Sequence, residues 1–256
     1  MRICSIIVNM LSLKTLLKLQ QKKYRREYGC FIVEGKKGVL DALASKQEVV
    51  QLVMTKKFAR EEEAFGGSKE RLLVDDHDFA KIADTVTPSG VAAVVKMPTY
   101  ELNKIAGGQL VAVLEDIRDP GNLGTMIRTA DWFGVSGLLL LGGADPYQAK
   151  VVRASMGSLF HLPIIVSQDA KGDLLKLQKQ GFSLVVTRPE LAQTQQIKAK
   201  LKGKVALIFG NEARGTSREV DQLANQSISI PRYGQAESLN VAVSFGILLN
   251  QLKLAV

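Results

Sequence analysis

The chain is poor in the residues that build disulfide frameworks and metal sites. Its 256 residues include two cysteines, Cys4 and Cys30, and two histidines, His77 and His161, which are well separated in the sequence. So few ligands exclude a disulfide scaffold and argue against structural zinc, and we expect no metal cofactor. Low cysteine usage is typical of a reducing compartment, which predicts a cytoplasmic protein.

Long hydrophobic runs and the common phosphate-binding glycine motifs are also absent. The apolar stretch near the N-terminus is short and interrupted by polar residues, so we expect no membrane association. Residues 1–9 are predicted to be either a disordered extension or the product of a misplaced start. Neither a Walker A motif nor GxGxxG occurs, which counts against a dehydrogenase or an ordinary Rossmann-type methyltransferase.

The remaining composition is that of a folded protein with a moderate basic excess. Apolar residues make up 46% and charged residues 23%, and 34 basic against 25 acidic side chains give a net charge of +9. This charge favours an anionic partner. Proline and glycine punctuate residues 99–108, which predicts a linker between a domain at 1–98 and a second at 109–256.

The hydrophobic pattern predicts an α/β fold in both parts. The first part alternates helical and extended segments, beginning with a helix over 11–28, and indicates a small α/β domain. The second carries continuous apolar runs at 110–114, 138–141, 184–186, 205–209 and 228–230. Such runs lack period-two alternation, which is typical of parallel strands buried on both faces. Helical segments between them, including 149–159, predict a doubly wound sheet.

Polar residues gather in three loops that follow these strands. Asn122 and Arg128 follow the first run, Gly210 and Glu212 the fourth, and Ser238 with Asn240 the fifth. Each side chain has a simple structural interpretation, since Asn and Ser cap helices and a carboxylate is stabilised at a helix start. Because ligands of open α/β sheets bind outside the carboxyl ends of the strands, the three loops together predict one binding site.

Basic side chains form a second group of candidate residues. The predicted first helix carries Lys22, Lys23, Arg25 and Arg26 before its first acidic residue, Glu27. A solvated helix face would explain the charge run by itself. Together with a phosphate-facing site it favours RNA contact instead. The segment 150–162 adds candidates that could bind phosphate, namely Arg153 and Ser155.

The three loops closely resemble the signature motifs of the SpoU (TrmH-like) family of the SPOUT superfamily, which are RNA ribose 2′-O-methyltransferases. The motifs are Asn122 to Arg128 with Thr129-Ala130, Gly210-Asn211-Glu212 with Gly215, and Ile230-Pro231 with the run 238–242. Their order and spacing match across residues 109–256. The N-terminal part is similar to the L30e-like substrate-binding domain of many members, through the segments 22–25, 31–35 and 87–91.

This resemblance implies a fold, a cofactor and a set of site residues. The fold would be a small L30e-like α/β domain followed by a parallel-sheet α/β domain with a trefoil knot. The cofactor would be S-adenosylmethionine and the assembly a homodimer with its sites at the interface. Catalytic roles would fall on Asn122, Arg128, Glu212, Ser238 and Asn240. Cofactor contacts would fall on Gly210, Ile230 and Leu239, with Thr187 as a neighbour.

The reaction implied is one displacement that moves a methyl group from a sulfonium to a ribose 2′-hydroxyl. A guanidinium keeps its proton and is a poor base, so we expect Arg128 to contact the phosphate or hydroxyl and stabilise the developing alkoxide. The added N-terminal domain favours 23S ribosomal RNA as substrate. The alternatives are a tRNA substrate, a non-catalytic RNA-binding or ribosome-assembly protein, and a nucleotide-binding oxidoreductase.

Overall fold

A computed structural model describes residues 10–189 and 203–254, and these form two compact units. The first unit comprises residues 10–98 together with 145–160. The second comprises 99–144, 161–189 and 203–254. The expected extension at residues 1–9 lies outside the described residues. No helix among the described residues combines the length and apolarity needed to cross a bilayer.

The first unit is built on a four-stranded mixed sheet. Its strands are β1 (Cys30–Glu34), β2 (Val49–Thr55), β3 (Arg71–Val74) and β4 (Val91–Lys96). They lie in the order β1-β4-β2-β3, with β4 antiparallel to both neighbours and β2 parallel to β3. The helices from the N-terminal part are α1 (Leu13–Lys18), α2 (Lys22–Tyr28), α3 (Lys36–Ala44), α4 (Lys56–Glu61) and α5 (Asp76–Ile82).

The single helix predicted over 11–28 is wrong, because the chain bends between α1 and α2. Gln21 is extended, and this releases the carbonyl groups of Leu19 and Gln20 from helical bonding. The Arg25 guanidinium donates to both of them at 2.8 Å. Arg25 therefore satisfies the backbone groups that the bend leaves free, which offsets the cost of burying them.

The second unit contains six parallel strands and their connecting helices. In chain order the elements from residue 103 are α6 (Asn103–Ala106), β5 (Leu110–Glu115), α7 (Pro120–Trp132), β6 (Leu138–Leu141), α8 (Ala149–Ala154), β7 (Ile164–Val166), α9 (Ala170–Lys179), β8 (Phe182–Arg188), β9 (Lys204–Phe209), α10 (Arg218–Leu223), β10 (Gln226–Ser229) and α11 (Val241–Leu254). Of these, α8 belongs to the first unit. The predicted fold class, with its parallel-sheet domain, is confirmed. The threading of a knot stays a prediction.

The helix predicted over 149–159 is shorter than expected. It ends at Ala154, and a 3-10 turn follows at Ser158–Phe160. Between them Met156 and Gly157 have φ angles of 50° and 90°, which an α-helix cannot accommodate. A side chain at Gly157 would also meet the Asp41 carboxylate at 2.7 Å, so glycine is required there.

Strand order fixes where the second unit can hold a ligand. The sheet runs β10-β8-β9-β5-β6-β7, so the chain leaves β5 toward β6 and β7 and later returns on the other side of β5. The direction reverses between β5 and β9, where Leu114 lies beside Phe209. In open parallel sheets the crevice at this reversal, outside the carboxyl ends, is the usual ligand site.

Candidate active site

Three polar side chains from three elements meet at the carboxyl edge of the second unit's sheet. Asn240 Nδ2 donates to Asn122 Oδ1 at 3.0 Å, and Asn122 Nδ2 donates to Glu212 Oε1 at 3.2 Å. Asn122 lies in the first turn of α7, Glu212 in the loop after β9 and Asn240 at the start of α11. The structure thus joins one residue from each predicted motif in a single hydrogen-bonded chain.

Helix capping determines which atom donates and which accepts in these hydrogen bonds. Asn240 Oδ1 accepts from the backbone N–H groups of Ala242 and Val243 at 2.9 and 3.3 Å, so its amide nitrogen is left for Asn122. At the other helix, Asp119 accepts from the Asn122 N–H at 2.7 Å and Pro120 follows at the first helical position. The capping interpretation of Asn122 and Ser238 is therefore wrong, since Asp119 and Asn240 are the caps.

The loop after β9 is folded tightly against the loop after β5. Gly210 has no room for a side chain, because a Cβ atom there would lie 2.2 Å from the Gly215 carbonyl carbon. Asn211 and Gly215 bridge the loop with mutual backbone hydrogen bonds of 3.0 and 2.8 Å. Asn211 Nδ2 then reaches the Asp116 carbonyl oxygen at 2.9 Å. These contacts hold Glu212 beside Asn122.

A cavity of about 280 Å³ opens between these loops and α11. This is near the lower end of the range of about 300 to 1,000 Å³ in which small-molecule sites fall. Its wall combines apolar side chains with polar groups and includes six of the predicted site residues, namely Thr187, Gly210, Glu212, Ile230, Ser238 and Leu239. Asn122 is hydrogen-bonded to the lining residue Glu212, and Asn240 is hydrogen-bonded to Asn122.

Arg128 lies on α7 but apart from this cavity. It is exposed, and no hydrogen bond or ion pair engages its guanidinium within the described part of the chain. It shares one helix face with exposed Thr125 and Trp132, at spacings of three and four residues. Trp132 is 85% exposed, which is unusual for so large an apolar side chain.

Sequence reasoning missed a polar network at the end of β8. Arg188 Nη2 lies 2.6 Å from Asp221 Oδ1, and its Nη1 donates to Thr216 Oγ1 at 3.1 Å. Thr216 also donates to the Asp221 carboxylate. Desolvation acts to raise the pKa of Asp221, but the hydrogen bonds from Arg188 and Thr216 outweigh it and hold that pKa below its ordinary value. The sequence did contain one indication of this network, because Arg188 follows a buried apolar run at the edge of the sheet where ligands bind.

The candidate RNA-binding residues of the first unit divide into exposed and buried sets. Lys22, Lys23 and Arg26 are exposed on α2. Arg153, which is partly exposed, forms an ion pair with Asp84.

The other two candidates are buried. Arg25 is 4% exposed and pairs with Asp145 at 2.5 Å. Ser155 is fully buried and donates to the Val152 carbonyl oxygen at 2.8 Å. Arg25 and Ser155 are thus committed to the interior of the unit and present nothing to a phosphate, which corrects the expectation for these two.

A group of possible metal ligands lies at the start of α5. Ligand atoms of Asp75, His77 and Asp78 are all within 4.8 Å of one another. Asp75 caps the helix through the Asp78 N–H at 2.7 Å, and Asp78 accepts from Lys81 at 2.7 Å. The hydrogen bond from Lys81 lowers the pKa of Asp78. Helix capping and ion pairing therefore explain why these three side chains lie close together.

Comparison with known proteins finds two matching family models and close relatives over most of the chain. Residues 109–250 match the model of the SpoU rRNA Methylase family, and residues 11–93 match that of the MRM3-like substrate binding domain. The 23S rRNA (guanosine(2553)-2′-O)-methyltransferase RlmP of Bacillus subtilis is 33% identical over 92% of this chain and 93% of its own length.

Two solved structures are similar over nearly the whole chain. One is an AdoMet-bound rRNA methyltransferase from Sinorhizobium meliloti, with a TM-score of 0.81 and 32% identity over 94% of this chain and 93% of that one. The other is the SpoU methyltransferase AviRb from Streptomyces viridochromogenes in complex with AdoMet. It gives a TM-score of 0.83 and 28% identity over 94% and 96%.

A parallel sheet with a cavity at its reversal point, preceded in the sequence by a substrate-binding domain, is the architecture of a two-part α/β enzyme, and the comparisons place it in the methyltransferase class. Within that class, the chain belongs to the SpoU rRNA methylase family. The predicted family and the predicted enzyme class are confirmed.

Proposed function

We propose that this protein transfers a methyl group from S-adenosylmethionine to a ribose 2′-hydroxyl of large-subunit ribosomal RNA. The observation that carries the proposal is the hydrogen-bonded chain of Asn240, Asn122 and Glu212 at the edge of the cavity. RlmP, the AdoMet-bound Sinorhizobium enzyme and AviRb supply the support for the cofactor and for ribosomal RNA. An rRNA substrate implies the cytoplasm as the compartment.

The residues that line the cavity suit an adenosine cofactor in their chemistry. Gly210 lets the backbone approach a ligand where a side chain would collide with Gly215. Ile230 and Leu239 supply apolar wall, and the polar backbone and side chains near Thr187 and Ser238 supply hydrogen-bonding groups. Gly210, Ile230, Leu239 and Thr187 would therefore hold the cofactor, which supplies an electrophilic methyl group when bound.

The protein's own side chains would orient the sugar, whose hydroxyl proton would leave to water as the oxygen gains the methyl group and the sulfonium becomes a neutral thioether. Asn122 and Asn240 are held by Glu212 and by the α11 backbone, and each amide keeps unused hydrogen-bonding capacity. Together with Ser238 they would hold the ribose for in-line attack. Arg128 would contact the phosphate or the hydroxyl and stabilise the alkoxide as it forms.

The distance between Arg128 and the cavity favours a dimeric enzyme. Arg128 is six residues, or about 9 Å of helix rise, from Asn122 and shares an exposed face with Trp132. Val243 on α11 is also 52% exposed, and α7 and α11 pack together. We infer that a second copy of the chain covers this face and brings Arg128 to a shared site.

The test is a methyl-transfer assay with defined RNA. Purified protein is incubated with S-adenosylmethionine carrying a labelled methyl group and with protein-free large-subunit ribosomal RNA lacking the modification. The product is digested to nucleosides and analysed by mass spectrometry. A labelled 2′-O-methylnucleoside at one site is expected. Transfer to transfer RNA in place of ribosomal RNA, or a methyl group on a base, would contradict the proposal.

A further inference from the structure

The first unit contains a cavity of about 260 Å³ that the proposed reaction does not use. Its floor is apolar and buried, formed by Leu19, Ile82 and Val152, each less than 9% exposed. Its rim is polar and includes Gln148 and Lys150. The α8 segment supplies much of this wall, so the cavity needs residues that follow the N-terminal domain in sequence.

Four of the charged groups in the wall already have partners. Arg25 is paired with Asp145, and Arg153 with Asp84. Glu34 accepts from the Asp84 backbone N–H at 2.8 Å and from the Thr85 hydroxyl. A free phosphate ion would have to disrupt these ion pairs to bind on the floor. A neutral ligand would not.

Two polar groups at the rim make no hydrogen bond or ion pair with any described residue. The Gln148 side chain is half-buried and offers both an amide donor and a carbonyl acceptor. Lys150 is exposed beside it and carries a positive charge. These features suit a ligand in which a flat ring is joined to a phosphate. The apolar faces of the ring would lie on the floor, its hydrogen-bonding edge would face Gln148, and the phosphate would face Lys150.

We infer that this cavity binds one unpaired nucleobase of the RNA substrate, with Gln148 on its polar edge and Lys150 on its phosphate. The inference rests on the proposed function, because that function brings RNA to the protein. Proteins that read RNA commonly accept single-stranded bases splayed out of the chain. The site would hold the RNA at a second point, apart from the ribose that is methylated.

The experiment fills the cavity. Ala149 lines it at the first position of α8, so Ala149→Trp would occupy the space that the base needs. Ala64→Trp is the matched control, because Ala64 is exposed in the same unit and does not line the cavity. Gln148→Ala adds no volume and keeps the test open should the larger side chain prevent folding, which thermal melting would reveal.

Binding is measured with protein-free large-subunit ribosomal RNA, and cofactor affinity by calorimetry with S-adenosylmethionine. Ala149→Trp is expected to weaken RNA binding and raise KM for RNA about 5- to 100-fold, the range for losing one stacked base. Cofactor affinity and kcat at saturating RNA should stay within about two-fold of the wild-type values. Gln148→Ala should weaken RNA binding about two- to ten-fold.

A direct probe uses the four nucleoside 5′-monophosphates. Titrating them into the wild-type protein should shift the NMR amide signals of Gln148 and Lys150, and Ala149→Trp should abolish the shifts. Equal RNA affinity for Ala149→Trp and Ala64→Trp would overturn the inference. Loss of RNA affinity in Ala149→Trp, with no methyl transfer by the wild type, would instead overturn the proposed function alone.

Discussion

At the scale of single residues, the site depends on amide groups whose orientation is fixed by their neighbours. An asparagine can turn its oxygen or its nitrogen toward a partner. The α11 backbone takes the Asn240 oxygen, and the Glu212 carboxylate requires the Asn122 nitrogen. Each amide therefore has one favourable orientation, which is the preorganisation that a reaction at a sugar oxygen needs.

Arg128→Ala is expected to abolish methyl transfer and to leave cofactor binding nearly intact. Loss of one group that stabilises developing negative charge costs about 100- to 1,000-fold in kcat. Single-turnover assays and calorimetry with S-adenosylmethionine measure the two effects. Arg128→Lys, which keeps the charge, is the comparison variant. Unchanged turnover in Arg128→Ala would remove this residue from the site.

Gly210→Ala is expected to weaken cofactor binding at least about ten-fold. The added methyl group would lie 2.2 Å from the Gly215 carbonyl carbon, so the loop that forms the cavity wall must move. Gly107→Ala is the control, since Gly107 is exposed, adopts helical angles and has 4.0 Å to the nearest atom. Calorimetry measures the cofactor affinity of both variants, and thermal melting measures their stability. Equal cofactor affinity in the two would contradict the proposed role of Gly210 in cofactor binding.

At the scale of elements, the end of β8, the loop after β9 and helix α10 are joined by ionic and hydroxyl contacts. Arg188, Thr216 and Asp221 come from these three places and form one network beside the cavity. Because Arg188 also lines the cavity, this network connects the stability of α10 with the shape of the cavity.

This network should contribute stability that depends on pH. The pKa of folded Asp221 lies below its ordinary value of 3.8, so the ionised carboxylate stabilises the fold at neutral pH. That contribution is lost as the pH falls from about 3.8 through the lower pKa of the folded state. Asp221→Asn should therefore reduce stability at pH 7, and this effect should shrink as the pH falls below about 3.8.

Urea unfolding between pH 7 and pH 3 measures this difference. About a third of the Asp221 side chain is exposed, so we expect less than about 1 kcal/mol at pH 7. Glu219→Gln, on the same helix and without an ion pair among the described residues, serves as the control. An Asp221→Asn effect that does not change with pH would count against the ionic explanation.

At the scale of the whole molecule, the proposed dimer and the proposed RNA surface involve exposed side chains with no role within their own units. Trp132→Glu is expected to convert the protein from twice the 27.9 kDa chain mass to a monomer. A charge buried in an apolar interface without a partner is strongly unfavourable. Analytical ultracentrifugation measures the mass. Leu73→Glu changes another exposed apolar side chain, 51% exposed in the first unit, and should leave the mass unchanged.

Replacing Lys22, Lys23 and Arg26 together with alanine should weaken RNA binding and flatten its salt dependence. Each lost phosphate contact lowers the slope of log K against log salt concentration by about 0.7, so the triple variant should lose about 2. The control replaces Lys56, Lys57 and Arg60, an equally exposed basic triplet on α4. An equal loss of slope in both triplets would mean that net charge alone, not the α2 surface, attracts RNA.

Much of the fold and half of the site follow from local sequence. Buried strands appear as unbroken apolar runs, and the runs at 110–114 and 205–209 lie within β5 and β9. Short elements such as α4, α6 and β7 were not predicted, because three to six residues carry too little periodicity. Arg25 and Ser155 were predicted to contact RNA but are buried. The sequence gives the charge or the hydroxyl group, but it does not show whether that group faces water or a buried partner.

The sequence by itself determined the family, the parallel sheet and the three loops that supply the site, because motifs and apolar runs are properties of neighbouring residues. Only the tertiary structure decided that Asp119 and Asn240 cap the helices, that Asn122 is thereby free to join Glu212, and that α8 packs with the first unit. The caps are local contacts, but the hydrogen bonds that join Asn122 to Glu212 and to Asn240 span 90 and 118 positions, and partners at such separations are set by the fold.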